Sequence, residues 1–195
     1  MAKKNKTVRF GIKNVYYALF DEEKGTYGTP KQVDGAVKLS ITPEGDTSNF
    51  YAEDILWASF ESTSGYTGSL EVAAFGDEFL NDILGRKATD AGLNYETIED
   101  EPKQFALLFE VGSNKEPQRY VYYNVIGSRP EQEHNTKSES TSPDTETMDI
   151  TIASQAFTVG GVEVETIGAH VTKSTETATL YDGWYKTVAT PADAA

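Results

Sequence analysis

The residues of this chain whose types and spacing could do chemistry are carboxylates. Asp77 and Asp82 stand five apart, and Asp21, Glu22 and Glu23 run together before Gly25. The first pair could work as a general acid and base, and the second group could offer oxygens to calcium. Neither spacing carries that chemistry through. Asp77 stands where a helix begins, so it reads as an N-cap accepting from first-turn amides, and Asp82 falls on that helix's exposed polar face. The Asp21 run lacks the alternating ligand positions of an EF-hand loop and reads as a solvated acidic turn. Only His134 and His170 supply imidazoles, and there is no cysteine. A zinc site, a histidine-based nucleophile and thiolate chemistry are therefore short of donors. The chain carries no P-loop, no dinucleotide fingerprint and no G-x-S-x-G elbow. No residue is assigned a catalytic, cofactor-binding or metal-binding role, and the reading is of a protein that is not an enzyme.

Composition narrows the class further. At 195 residues, 38% hydrophobic and 25% charged, the chain reads as one globular domain with a sizeable core. No run approaches the ~18 apolar residues of a membrane span. The basic start MAKKNK is not followed by an apolar stretch, so it reads as a flexible arm over residues 1–6 rather than a signal peptide. Synthesis in the cytoplasm is the corresponding expectation. The net charge of -14, from 31 acidic and 17 basic residues, argues against a surface built to hold nucleic acid, because such surfaces replace counterions with Lys and Arg.

The elements that must position these residues are mostly strands. Leu70, Val72 and Ala74 alternate with Ser69, Glu71 and Ala73, the period of a strand with one face buried. At Asp77 the period changes: Phe79, Leu80, Ile83 and Leu84 form one helical stripe, and Gly85 suits the left-handed C-terminal position. So short a helix is marginal alone and is expected to dock on a sheet. Further strands are expected over 7–12, 15–20 and 37–42, the last stopped at Pro43. A hairpin is expected from Phe105–Val111 to Tyr120–Ile126, turning at 112–117. Met148, Ile150 and Ile152 face one way and Thr147, Asp149 and Thr151 the other. Gly160 and Gly161 make a turn, with a short strand at Val162 and Val164. Between Pro43 and Gly65 lies a long polar loop that carries Phe50, Tyr51, Ile55, Leu56, Trp57 and Phe60 without a core of their own. Its second half, 54–60, has the alternative reading of another strand. Loops of this length are usually functional, and exposed aromatics usually mark a binding surface.

The ordered segments GIKNVYYALF, GTYGTP, GAVKLSITPEGDTSNFYAEDILW, GYTGSLEVAAFGDEFLNDILG, PKQFALLFEVG, SRP, SPDTETMDITI and YDGWYKTV resemble the phi13-type family of phage major tail proteins over Gly11 to Val188. The resemblance implies a virion subunit of a long, non-contractile tail. Its expected fold is a β-sandwich flanked by one α-helix, with a long inter-subunit loop over 43–65, a basic arm over 1–6 and a C-terminal tail over 185–195. It implies homo-hexameric rings stacked into a tube, the conduit for DNA during genome ejection. The implied partners are tape measure, tail-tip and tail-terminator proteins. Within that frame Phe50, Tyr51, Ile55, Leu56 and Trp57 are the expected inter-subunit or inter-ring contacts. Glu139, Asp144 and Asp149 are the expected lumen-facing acids. The two terminal segments are expected to cover sheet edges before assembly and to exchange onto neighbours afterwards. Trp57 and Trp184 also have the reading of ordinary core aromatics. The rival class is a monomeric β-sandwich that binds carbohydrate or a cell surface through Tyr51, Trp57 and Tyr66. A tube subunit of a phage-derived particle without a genome shares all these features.

Overall fold

The computed structural model of the chain describes residues 7–136 and 144–194. In chain order the elements are β1 (Arg9–Asp21), β2 (Thr26–Tyr27), β3 (Lys31–Val33), β4 (Ala36–Ala52), β5 (Ile55–Val72), α1 (Asp77–Leu84), β6 (Lys87–Ala88), β7 (Asn94–Tyr95), β8 (Phe105–Ser113), β9 (Gln118–Gly127), β10 (Glu146–Ala153), β11 (Gln155–Val159), β12 (Val162–Thr166), β13 (Gly168–Thr172) and α2 (Ala178–Gly183), closed by a 3-10 turn at Pro191–Ala194. The fold is mostly β and sandwich-like, with α1 as its main helix.

One antiparallel sheet runs β2-β1-β8-β9-β10-β5-β4. The upper part of β9 pairs with β13 through Gln118–Tyr122, and its lower part with β10 through Asn124–Gly127. Strand alternation splits the core in two. On one face Val15, Tyr17, Leu70, Val72, Phe105, Leu107, Met148, Ile150 and Ile152 meet the α1 stripe Phe79, Leu80, Ile83 and Leu84. On the other, Ala18, Ala106, Leu108, Val121, Tyr123 and Val171 are covered by Tyr181, Trp184 and Val188 from the C-terminal segment. β8 is thus buried on both faces and runs through the middle of the sheet, as its unbroken apolar run from Phe105 to Phe109 requires.

Helix α1 is capped one residue earlier than its sequence suggests. Gly76 is the N-cap and makes no side-chain cap, while Asp77 and Glu78 lie in the first turn, where carboxylates complement the dipole. Gly85, at φ 72°, closes the helix in the left-handed region open to glycine. Asp82 anchors the helix to the sheet, accepting from the Tyr17 hydroxyl at 2.7 Å and from Lys31 at 2.6 Å. Burial and that carboxylate together push the Tyr17 hydroxyl far above its ordinary range.

Two expectations are corrected. The segment 43–65 is not a loop: it is the outer half of a hairpin in which β4 and β5 pair from Ala36↔Val72 to Ala52↔Ile55, with register shifts at Ala36/Lys38, Glu44/Gly45 and Phe50/Tyr51. Pro43 does not stop β4. It pairs opposite Tyr66 on the terminal strand of the sheet, where a residue without an N–H is tolerated because nothing accepts from the outer edge. Second, α1 is not the one helix expected: α2, which takes in the start of YDGWYKTV, buries Tyr181 and sets Trp184 into the second core.

Candidate assembly surfaces

The most conspicuous surface is the β4–β5 arm. β5 pairs with β10 only as far as Tyr66↔Ile152, and beyond it the two strands have only each other. They part from the sheet at Gly65. Its φ of 148° and the Ile152 carbonyl, which would stand 2.3 Å from an added Cβ, exclude any side chain there. At ~3.3 Å per residue, the nine residues from Glu44 to Ala52 carry the arm about 30 Å from the body. The tip turns through Glu53 and Asp54 at φ 52° and 61°, both left-handed, as the two-residue turn matched to strand twist demands.

Phe50, Tyr51, Ile55, Leu56, Trp57 and Phe60 all lie on this arm, each between 53% and 63% exposed. Phe50 pairs opposite Ala58 and Phe60 opposite Ser48, so these rings share one face, whereas Tyr51 and Leu56 share the other. Trp57 is skipped in the register, the extra residue of a bulge. A two-stranded hairpin is marginal by itself in water. Burying one such side chain is worth about 1.5–3 kcal/mol, so the arm carries a large unrealised stabilisation. Trp184, by contrast, is 2% exposed and donates its indole N–H to the Tyr120 carbonyl at 3.3 Å.

The second surface is the outer face of β4, β5 and β10. Register places three rows across it: Lys38–Glu71–Thr147, Ser40–Ser69–Asp149 and Thr42–Thr67–Thr151. The rows behind are Leu39–Leu70–Met148, Ile41–Gly68–Ile150 and Pro43–Tyr66–Ile152. Asp149 is therefore exposed on a polar sheet face. Asp144 is committed locally, accepting from the Asn135 amide N–H and side chain at 3.0 Å each, and these bonds hold its carboxyl below the usual range. Glu139 lies outside the described residues, as does the arm over 1–6.

The third is the C-terminal segment, docked on the sheet face rather than along an edge. Glu110, 3% exposed, pairs with Arg119 at 2.9 Å and Lys13 at 3.0 Å. Burial raises the Glu110 carboxyl, but the bonds donated by Arg119 and Lys13 outweigh it and leave the group below its ordinary value. Arg119 also donates to the Tyr181 carbonyl and lies 3.9 Å from the Tyr181 ring centroid and 4.6 Å from that of Tyr185. Tyr185 stacks on Tyr16 at 4.4 Å, and the Tyr123 hydroxyl donates to the Ala189 carbonyl at 2.9 Å.

Between the start of β1 and the base of β4 lies an apolar cleft of about 420 Å³, whose lining includes Phe10, Ile12, Val37, Leu39, Phe109 and Val111. Arg9 and Lys38 line it too, and among the described residues neither forms an ion pair.

The aromatic trio of a carbohydrate platform is not assembled. Tyr66 lies nine residues from Trp57 along β5, roughly 30 Å away, and packs instead 5.9 Å from the Tyr122 ring.

No protein-family model matches the chain, and neither does any curated protein. Among solved structures, it is similar to the tube-terminating cap of the anti-feeding prophage, at 10% identity and a TM-score of 0.50, over 89% of this chain and 100% of that one. The sheath–tube complex of an extracellular contractile injection system, PVC in its extended state, gives 8% identity and a TM-score of 0.47, over 82% of this chain and 89% of that one. At such identity the first likeness shows a shared fold.

Proposed function

We propose that this chain is a structural, non-enzymatic subunit of a phage-type tail tube, assembling as hexameric rings that stack into a hollow conduit within the virion tail. The observation that carries the reading is the β4–β5 arm: six large apolar side chains on an arm that reaches about 30 Å from the body, none covered among the described residues. A fold shared with a cap that terminates a tube supports it. In this reading the arm reaches a neighbouring subunit or ring, and the tape measure, tail-tip and terminator proteins meet the tube along its bore and at its ends.

The polar face of β10 and β5 lines the lumen. DNA carries a charge every ~1.7 Å of its axis, and a basic wall would hold it by displacing counterions. A wall bearing Asp149 and Glu71 repels it instead. At ~4 Å each like-charge pair is worth only about 1 kcal/mol in water, and screening acts within ~8 Å at physiological salt, so the wall lubricates passage without blocking it. Asp144 belongs to that proposed wall, as does, in the sequence reading, Glu139, which lies outside the described residues.

Electron microscopy of the purified protein at high concentration, with a mass determination in solution, tests the assembly. Rings or hollow tubes are expected. A protein that stays monomeric even with tail-tip components present, and that binds a glycan panel, would replace this reading with that of a carbohydrate-binding module. For the lumen, replacing Glu139, Asp144 and Asp149 with Lys is expected to slow genome release, and unchanged release would remove the repulsive wall.

A further inference from the structure

We infer that the cleft between β1 and the base of β4 is the receptor for the arm tip of a second copy of this chain. The inference rests on the self-assembly proposed above and names the two surfaces that meet. Three observations converge on the pair. The tip presents Tyr51, Leu56 and Trp57 without cover, and the cleft presents an apolar lining left open to solvent, with Phe10 60% and Val37 51% exposed. The charges are opposite: Glu53 and Asp54 form the turn at the tip, and Arg9 and Lys38 line the cleft, neither in an ion pair among the described residues, although Lys38 stands opposite Glu71 across the β4–β5 ladder. In a chain of net charge -14, two unpaired cations beside one apolar cleft select for an acidic visitor. Finally, the arm cannot serve its own cleft. Eleven residues of extended β4 separate Ile41, in the cleft, from Ala52 at the tip, roughly 35 Å.

The contact is therefore between copies, and it joins two different patches. Each copy that inserts its tip still offers an empty cleft, so the contact propagates and closes into a ring or runs on as a filament. The arm edges are unpaired beyond Gly65, and the outer edge of β4 is free, so backbone pairing can accompany the side-chain contact.

The absence of native cysteine makes the test direct. Copies carrying Val37→Cys are mixed with copies carrying Leu56→Cys under mild oxidation, both sites being exposed enough to leave folding unchanged. The expected result is a disulfide-linked heterodimer at least tenfold more abundant than with the control Glu163→Cys on exposed β12. Equal yields, or no link, overturn the inference. A second measurement swaps charges. The Arg9→Glu/Lys38→Glu and Glu53→Lys/Asp54→Lys proteins are each expected to lose self-association at least tenfold, and their mixture to recover it as an alternating assembly. Two folded variants that fail to co-assemble overturn the contact. Wild-type tubes without the Val37–Leu56 link would remove this contact and leave the tube reading standing. A wild-type protein that never exceeds the monomer removes both.

Discussion

The inner and outer halves of the β4–β5 hairpin are the same two paired strands, yet they obey different rules. In the inner half, Leu39, Leu70 and Ile41 lie on one face over Met148 and Ile150, and Ser40, Ser69 and Thr42 on the other. In the outer half large apolar residues occur on both faces, and all stay exposed. The inner half has its partners within the chain, where burial fixes register. The outer half has a sheet's geometry without a sheet's neighbours among the described residues, so nothing there buries its side chains.

The largest effects should come from the body. Phe105→Ala, at a fully buried ring between α1 and β8, should cost about 3–5 kcal/mol and lower the melting temperature by roughly 10 °C in a calorimetric scan. Glu110→Ala should cost about 3 kcal/mol, because it leaves Arg119 partly buried without its carboxylate.

The same group predicts a pH dependence. The Glu110 carboxyl is held below its unfolded value of ~4.3, so its stabilisation is complete above that pH and is lost as pH falls through the lower folded value. Melting curves from neutral to acid should show a shallower acid limb for Glu110→Gln than for wild type.

At the tip, Glu53→Asn with Asp54→Gly relieves two left-handed acidic residues. It should stabilise the arm by about 1 kcal/mol, read as slower hydrogen exchange in 46–62, while weakening association. The smallest effect on folding belongs to Trp57→Ser with Phe60→Ser. Folding stability should hold within about 0.5 kcal/mol of wild type in thermal melts, while sedimentation shows assembly lost. A large drop in melting temperature here would erase the distinction between the two halves.

The body was the legible part of the sequence. The period change at Asp77, the helical stripe of α1, Gly85 as its terminus, the hairpin around 112–117 and the two-faced β10 are all local patterns, and burial follows them. Pro43 misled because its meaning depends on whether a strand is central or terminal, which only the sheet order decides. The arm hid because Ser, Thr, Gly and acidic residues at 44–49 and 61–65 look like loop when no face has to be buried. Trp57 and Trp184 are the same residue type in aromatic surroundings, and only tertiary placement separates the exposed one from the buried one. Asp149 was legible from alternation. The local clamp on Asp144 was not, since it depends on Asn135 across a long connection. Helix α2 has no side-chain cap and only six residues, too little for a periodic signal.

Gly65 gives the arm a mechanical character. For an arm about 30 Å long, a rotation of roughly 10° at its base would move the tip about 5 Å, close to the spacing of adjacent strands. In the proposed tube, subunits joined through such arms would open their spacing on one side and close it on the other while every seated tip stays in place. Bending compliance would then reside at the arm bases, around Gly65, rather than in the core.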